Sequence, residues 1–330
     1  MRSFVIGGAG FIGSHLVDRL VGRGPVTVYD NLSVGKPDFI RPHLESGRAV
    51  LVEADALDLD RLRAALRGHD VVFHLAANPE ARWGLERTRL DLEQGTIVTF
   101  HALEACRLEG VRRFVLASSG TVYGDTERVC GEGDLGVLPI SLYGASKLAG
   151  EALASAFVEC FGLQAWILRF GNVVGPRGTH GAALDFLHRL RTAMSRQPAG
   201  EKVELEVLGD GRQSKPYLHV SDCADGILYA FDRATAPLNV FNLAPPDTTS
   251  VARIAELCIA ASPLPQATIR YTGGDRGWPG DVPRSRLSPE RLSALGFRVR
   301  QKSDEAVRLA VAELAREVFG EPLAHRLRFE

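Results

Sequence analysis

The residues Gly7-Gly8-Ala9-Gly10-Phe11-Ile12-Gly13 stand between a β-branched run, Phe4-Val5-Ile6, and a segment with apolar residues at helical spacing: Ile12, Leu16, Val17, Leu20 and Val21. A strand, a glycine-rich turn and a helix in that order constrain the fold more than any other feature of the chain. The glycines permit a tight turn, let backbone approach an anion, and bring helix close to sheet. The helix N-terminus adds unpaired N–H groups and partial positive charge. Three glycines also mark ordinary turns; the flanking strand and helix are what give them the dinucleotide-phosphate reading. Asp30 closes the next strand, Val26-Thr27-Val28-Tyr29, 17 residues beyond Gly13. An acid there hydrogen-bonds a ribose 2′-OH and repels a 2′-phosphate, favouring NAD over NADP. Its structural alternative is a turn aspartate opening Asp30-Asn31. Asp55, after a third strand, reads equally as an adenine contact or as the N-cap of a helix over residues 57–66.

The same alternation continues. Strands are expected at Val50-Leu51-Val52, Val71-Val72-Phe73-His74-Leu75, Phe114-Val115-Leu116 and Trp166-Ile167-Leu168, separated by helical patterns. Near-continuous apolar strands imply a parallel sheet covered on both faces, hence an α/β, doubly wound, Rossmann-type fold. After Phe170, Gly and Pro become frequent and the alternation lapses, as in a smaller C-terminal substrate-binding lobe. The expected division is a dinucleotide-binding domain over 1–172, with 214–245 returning to it, and a lobe from 173–213 and 246–330. A last helix is expected over about 303–319.

At 330 residues, with 45% hydrophobic and 24% charged residues, the chain has ordinary soluble composition. Its 39 Lys plus Arg balance 40 Asp plus Glu, leaving no basic field for nucleic acid or a membrane surface. Five scattered cysteines without a C-x-x-C pair read as reduced thiols. No apolar run approaches the roughly 20 residues that span a bilayer, and because the first strand begins at once no signal peptide is expected. The expectation is a soluble, cytoplasmic protein. His74 and His219, inside apolar strands, are expected to be satisfied core histidines.

Tyr143-Gly144-Ala145-Ser146-Lys147 opens a helical run that sets Tyr143 and Lys147 four apart on one face. A phenol titrates at about 10, and a nearby ammonium with a cationic nicotinamide would lower that value, making Tyr143 a base near neutral pH. Such spacing also arises in bland surface helices. Here Ser118-Ser119-Gly120-Thr121-Val122-Tyr123-Gly124 follows a strand upstream, at the carboxyl edge where open α/β sheets bind ligands.

Gly-x-x-Gly-x-x-Gly, Ser119 at 24 residues before Tyr143, and Tyr-x-x-x-Lys together resemble the extended short-chain dehydrogenase/reductase family. The Ser-Ser-x-Thr-Val-Tyr-Gly string, Leu168-Arg169-Phe170-Gly171-Asn172-Val173-Val174-Gly175-Pro176 and Gly277-Trp278-Pro279-Gly280-Asp281-Val282-Pro283 resemble its nucleotide-sugar branch, most closely the UDP-galactose (UDP-glucose) 4-epimerases. The resemblance implies Tyr143 as base, Lys147 as its activator and ribose partner, and Ser119 as the hydroxyl on the reacting sugar oxygen. It implies NAD held by Gly7, Gly10, Phe11, Ile12, Gly13, Asp30, Asn31, Asp55, Ala56, Leu75, Ala76, Ala77, Asn78 and Ala117. It implies a UDP-sugar met by Thr121, Asn172, backbone near His180 and Gly181, Lys215, Arg276 and Asp281, with Ser285 bordering the sugar's C2 substituent. Ser285 reads alternatively as part of a solvated loop between Pro283 and Pro289.

The resemblance further implies a homodimer built on helices near 91–106 and 142–157, no metal, and epimerisation at C4 of a UDP-linked hexose through a transient 4-keto sugar. The chain departs from the pattern in three places. Gly95-Thr96 stands where relatives carry Asn before Val, Lys215-Pro216 replaces Arg-Asp, and Trp278 replaces an Arg, with Arg276 farther upstream. Lys keeps the charge of Arg without its bidentate fork. The rival readings are another nucleotide-sugar reaction (dehydration, decarboxylation or reduction) and a non-catalytic NAD-sensing protein.

Overall fold

The computed structural model describes residues 1–134, 138–196 and 202–320. Six parallel strands, β1 (Ser3–Ile6), β2 (Val26–Asp30), β3 (Ala49–Glu53), β4 (Val71–His74), β5 (Arg113–Ser119) and β6 (Gln164–Phe170), form most of a seven-stranded sheet. Leu238–Leu243 adds the seventh strand at the edge, parallel to β6. Starting from that edge the order runs through β6, β5, β4, β1, β2 and β3. The order reverses beside β1, so the carboxyl ends of β1 and β4 diverge and leave a crevice, the usual ligand site of an open α/β sheet. This is the doubly wound, Rossmann-type sheet expected from the strand-helix alternation.

Side chains alternate across the strands, which explains why whole runs are apolar. Phe4, Ile6, Val72, Phe114, Leu116 and Ile167 pack on one face, beneath the helices Leu59–Leu66, Val98–Glu109 and Leu142–Phe161. Val5, Val28, Phe73, Val115 and Trp166 face the other way, beneath the helices Phe11–Leu20 and Val220–Arg233. A separate apolar core joins Phe186, Leu187, Leu205, Ile254, Val311 and Leu314, from the helices Ala182–Arg196, Val251–Ala260 and Ser303–Phe319 and the strand Glu204–Val207.

Of the two readings of Asp55, the structure removes the helix cap. The helix after β3 starts at Leu59 and is capped by Asp58, whose side chain accepts from Arg61 N. Asp55 instead closes a turn onto Leu57 N at 2.9 Å, leaving it on the sheet edge. His74 bonds Thr99 Oγ1 at 3.0 Å, and burial drives its pKa down to about 3. His219 bonds Ser221 and Glu313. Both are held inside the fold. All five cysteines are free thiols, and among the described residues no helix is long and apolar enough to cross a membrane.

Candidate active site

Two clefts meet above the carboxyl ends of β1, β4 and β5. The first is floored by the glycine turn. Gly7 has φ +79°, open to glycine at little cost, and a Cβ on Gly13 would stand 2.1 Å from Gly7 O. Only bare backbone fits there, which is the cradle a pyrophosphate requires. Gly7, Gly10, Phe11, Ile12 and Gly13 all line this cleft. At its far end Asp30 accepts from Ala9 N and Leu32 N, each at 2.9 Å, and burial raises its pKa. Asn31 Nδ2 reaches Asp55 Oδ2 at 3.1 Å, with Ala56 beside it. Leu75, Ala76, Ala77 and Asn78 form the wall after β4, and Ala117 and Lys147 the wall after β5. The cleft therefore has the shape and donor set for a dinucleotide.

The second cleft lies between the sheet and the apolar core of residues 182–318. Ser119, Thr121, Asn172, His180, Gly181, Lys215, Asp281 and Ser285 line it. Lys215 Nζ is 2.6 Å from Asp281 Oδ1, so its charge is already partly answered. Arg276 does not line the cleft: its guanidinium turns to Asp125 Oδ2 at 2.6 Å and to the Asp281 carbonyl at 3.4 Å. The competing acid, Asp125, comes from a distant loop that sequence spacing does not reveal. Ser285 faces the cleft half-buried, its N–H donating to Ser214 O at 3.1 Å.

Tyr143 lines both clefts. Its helix begins at Ser141, whose hydroxyl accepts from Gly144 N at 3.1 Å; this cap sets the phenol at the first turn. Ser119 Oγ accepts from Thr121 N and Thr121 Oγ1, at 3.2 and 3.0 Å, and lines the second cleft together with Tyr143. Beneath them Ser118 bonds Glu151, which Arg169 clamps at 2.6 Å.

The expected lowering of the Tyr143 pKa is absent from the chain by itself. Burial, reinforced by the Asp91 charge, pushes the phenol up to about 12, and the nearby Ser119 hydroxyl only partly opposes this. Lys147 cannot correct it: its Nζ stands 5.7 Å from the ring centroid and donates to Ala117 O at 2.8 Å. Burial brings Lys147 down to about 8 against the pull of Asp91 and Glu151. A phenolate here requires a further positive charge in the first cleft.

Asp91 escaped the sequence reading as a site residue. It is buried, accepts from Asn78 Nδ2 at 3.0 Å, and its other oxygen has no partner among the described residues. Gln94, Glu80 and Arg82 also line the clefts without a sequence signal. Gly95, one of the departures from the family pattern, packs on Ser146, where a Cβ would stand 2.4 Å from Oγ.

Residues 3–244 match the model of the family described as NAD dependent epimerase/dehydratase. The chain is similar to UDP-glucose 4-epimerase of Mycolicibacterium smegmatis, 34% identical over 72% of this chain and 74% of that protein. It is also similar to UDP-N-acetyl-alpha-D-glucosaminuronate decarboxylase of Bacillus cytotoxicus, 32% identical over 77% of this chain and 78% of that one. A crystal structure of UDP-galactose 4-epimerase superposes with a TM-score of 0.84 at 38% identity, covering 97% of this chain and all of its own.

Proposed function

Because the chain belongs to the NAD dependent epimerase/dehydratase family, we propose that it interconverts C4 epimers of a UDP-linked hexose. NAD is the cofactor, and the glycine cradle, Asp30 and the wall of residues 75–78 are the groups that would hold it. When bound, it supplies the hydride acceptor and donor for C4 and a positive ring beside the phenol. The observation that carries the reading is that Tyr143 borders both clefts, with Ser119 beside it on the wall of the second.

Tyr143 takes the proton of the C4 hydroxyl and returns it after the 4-keto sugar has turned within the cleft. Ser119 fixes the reacting oxygen. Lys147, on the wall of the first cleft, meets the cofactor ribose. Asn172, backbone at His180 and Gly181, and the Lys215–Asp281 pair hold the nucleoside diphosphate; Arg276, tied to Asp125, stands outside this set. Dehydration needs an acid and a base after the catalytic hydroxyl. Those positions hold Gly120 and Thr121, which offer neither, and a Cβ at 120 would meet Leu287 at 2.9 Å.

Residues 1–172 with 214–245 act as the cofactor unit and 173–213 with 246–330 as the sugar-nucleotide lobe; residues 135–137, 197–201 and 321–330 lie outside the described ones. A homodimer forms through the helices Val98–Glu109 and Leu142–Phe161, on which Phe100, Leu108 and Phe161 are exposed. Mass spectrometry of UDP-sugar reactions tests the reaction type. Epimerisation leaves product and substrate isobaric; a product lighter by water or carbon dioxide contradicts it.

A further inference from the structure

Pro79 and His180 line both clefts, so the residues beside them border the region where the reacting sugar meets the cofactor. Glu80 and Arg82 follow directly and line only the second cleft. Asn78 locks this loop: its side chain accepts from Glu80 N at 3.2 Å and donates to Glu80 O at 3.0 Å. Arg82 grips Glu80 with both arms, Nε to Oε1 at 3.1 Å and Nη2 to Oε2 at 2.9 Å. Burial opposes ionisation of Glu80, yet these bonds hold its carboxyl below the usual range.

Arg82 also faces Asp185 at 3.7 Å, and Asp185 faces Arg189 at the same distance. Two carboxylates and two guanidiniums thus alternate along one wall. Among the described residues lining this cleft, Arg82, Arg189 and Lys215 are its Arg and Lys side chains, and each already faces a carboxylate.

Resting on the UDP-hexose reading above, we propose that the Glu80–Arg82 ion pair makes this cleft select an uncharged hexose and reject a uronic acid. A hydroxymethyl at C6 can share hydrogen bonds with the ionised Glu80. A carboxylate at that carbon brings a second negative charge against it. The uronate must then displace Glu80 from a bidentate partner, which is a strong charge-assisted contact. Discrimination of this kind comes from a repulsive element rather than from a better fit to the accepted sugar. The pyrophosphate charge is common to both substrates and cancels from the comparison.

The test is calorimetric titration of the NAD-loaded protein with UDP, UDP-glucose and UDP-glucuronate. The wild type should bind UDP-glucuronate at least ~10-fold more weakly than UDP-glucose, a difference of the size charge mismatches produce at interfaces. Glu80→Gln frees the Arg82 donors and should narrow or reverse that ratio. Arg82→Gln leaves Glu80 unanswered and should widen it. Equal binding of the two sugars by the wild type overturns the proposal. So does an unchanged ratio in both variants, a shift in the same direction in both, or an equal change in the affinity for UDP alone. Failure of UDP-glucose to epimerise would refute the UDP-hexose reaction instead, and the binding ratios would still be read.

Discussion

Lys147 Nζ lies 5.7 Å from the centroid of the Tyr143 ring and spends a hydrogen bond on the Ala117 carbonyl at 2.8 Å. The pair therefore does not form a direct ammonium–phenolate contact, and the phenol is pushed up to about 12 by burial and then by Asp91. An ordinary phenol is already protonated at neutral pH, and the raised value moves Tyr143 further from ionising unless positive charge enters the first cleft. In the reaction proposed above, the base function of Tyr143 would thereby depend on cofactor occupancy.

Asp91→Asn removes the second of those two causes. The acidic limb of the kcat/KM profile, where the base must lose its proton, should move to lower pH. The profile between pH 5 and 10 checks this in the NAD-loaded enzyme, and a limb that stays in place or moves to higher pH would show that Asp91 does not act on the phenol.

Asp30 predicts the cofactor preference. Both of its oxygens already accept backbone N–H groups at 2.9 Å, and a Cβ on Gly35 would stand 2.9 Å from each of them. A 2′-phosphate would meet a fixed carboxylate, whereas a 2′-hydroxyl can donate to it. Calorimetry should show NAD binding at least ~10-fold tighter than NADP. Equal or tighter NADP binding would remove Asp30 from this role.

Ser285, half-buried on the wall of the second cleft, leaves room beside the sugar for an acetamido group at C2. Ser285→Tyr should suppress turnover of UDP-N-acetylglucosamine more than that of UDP-glucose, on the scale of the ~1–3 kcal/mol that pocket overlap costs. Equal slowing of both sugars, or of neither, would mean that this residue is not the gate.

The sheet was legible because strands buried on both faces must be apolar throughout, and residues such as Phe4, Val5 and Ile6 carry that mark regardless of context. The glycine cradle was legible because no other residue fits beside Gly7 O. Asp91, Glu80 and Arg82 were not, since what sets them apart is a partner brought by folding: Asn78 for Asp91, and each other with Asp185 for the ion pair. Arg276 shows the converse. The resemblance implied that it meets the UDP-sugar, and in the structure its guanidinium pairs with Asp125 from another loop. Asp55 read equally as a cap or as an adenine contact, and the structure gives the cap to Asp58.

Chromatographic separation of C4 epimers after incubating the protein with UDP-glucose, run beside Tyr143→Phe, tests the epimerase reading most directly. The wild type should form UDP-galactose until the two sugars equilibrate. Tyr143→Phe should bind NAD nearly as before while turnover falls at least about 100-fold, the usual scale for loss of an acid–base group. Absence of the C4 epimer with wild-type protein, or near-normal turnover in Tyr143→Phe, would contradict it.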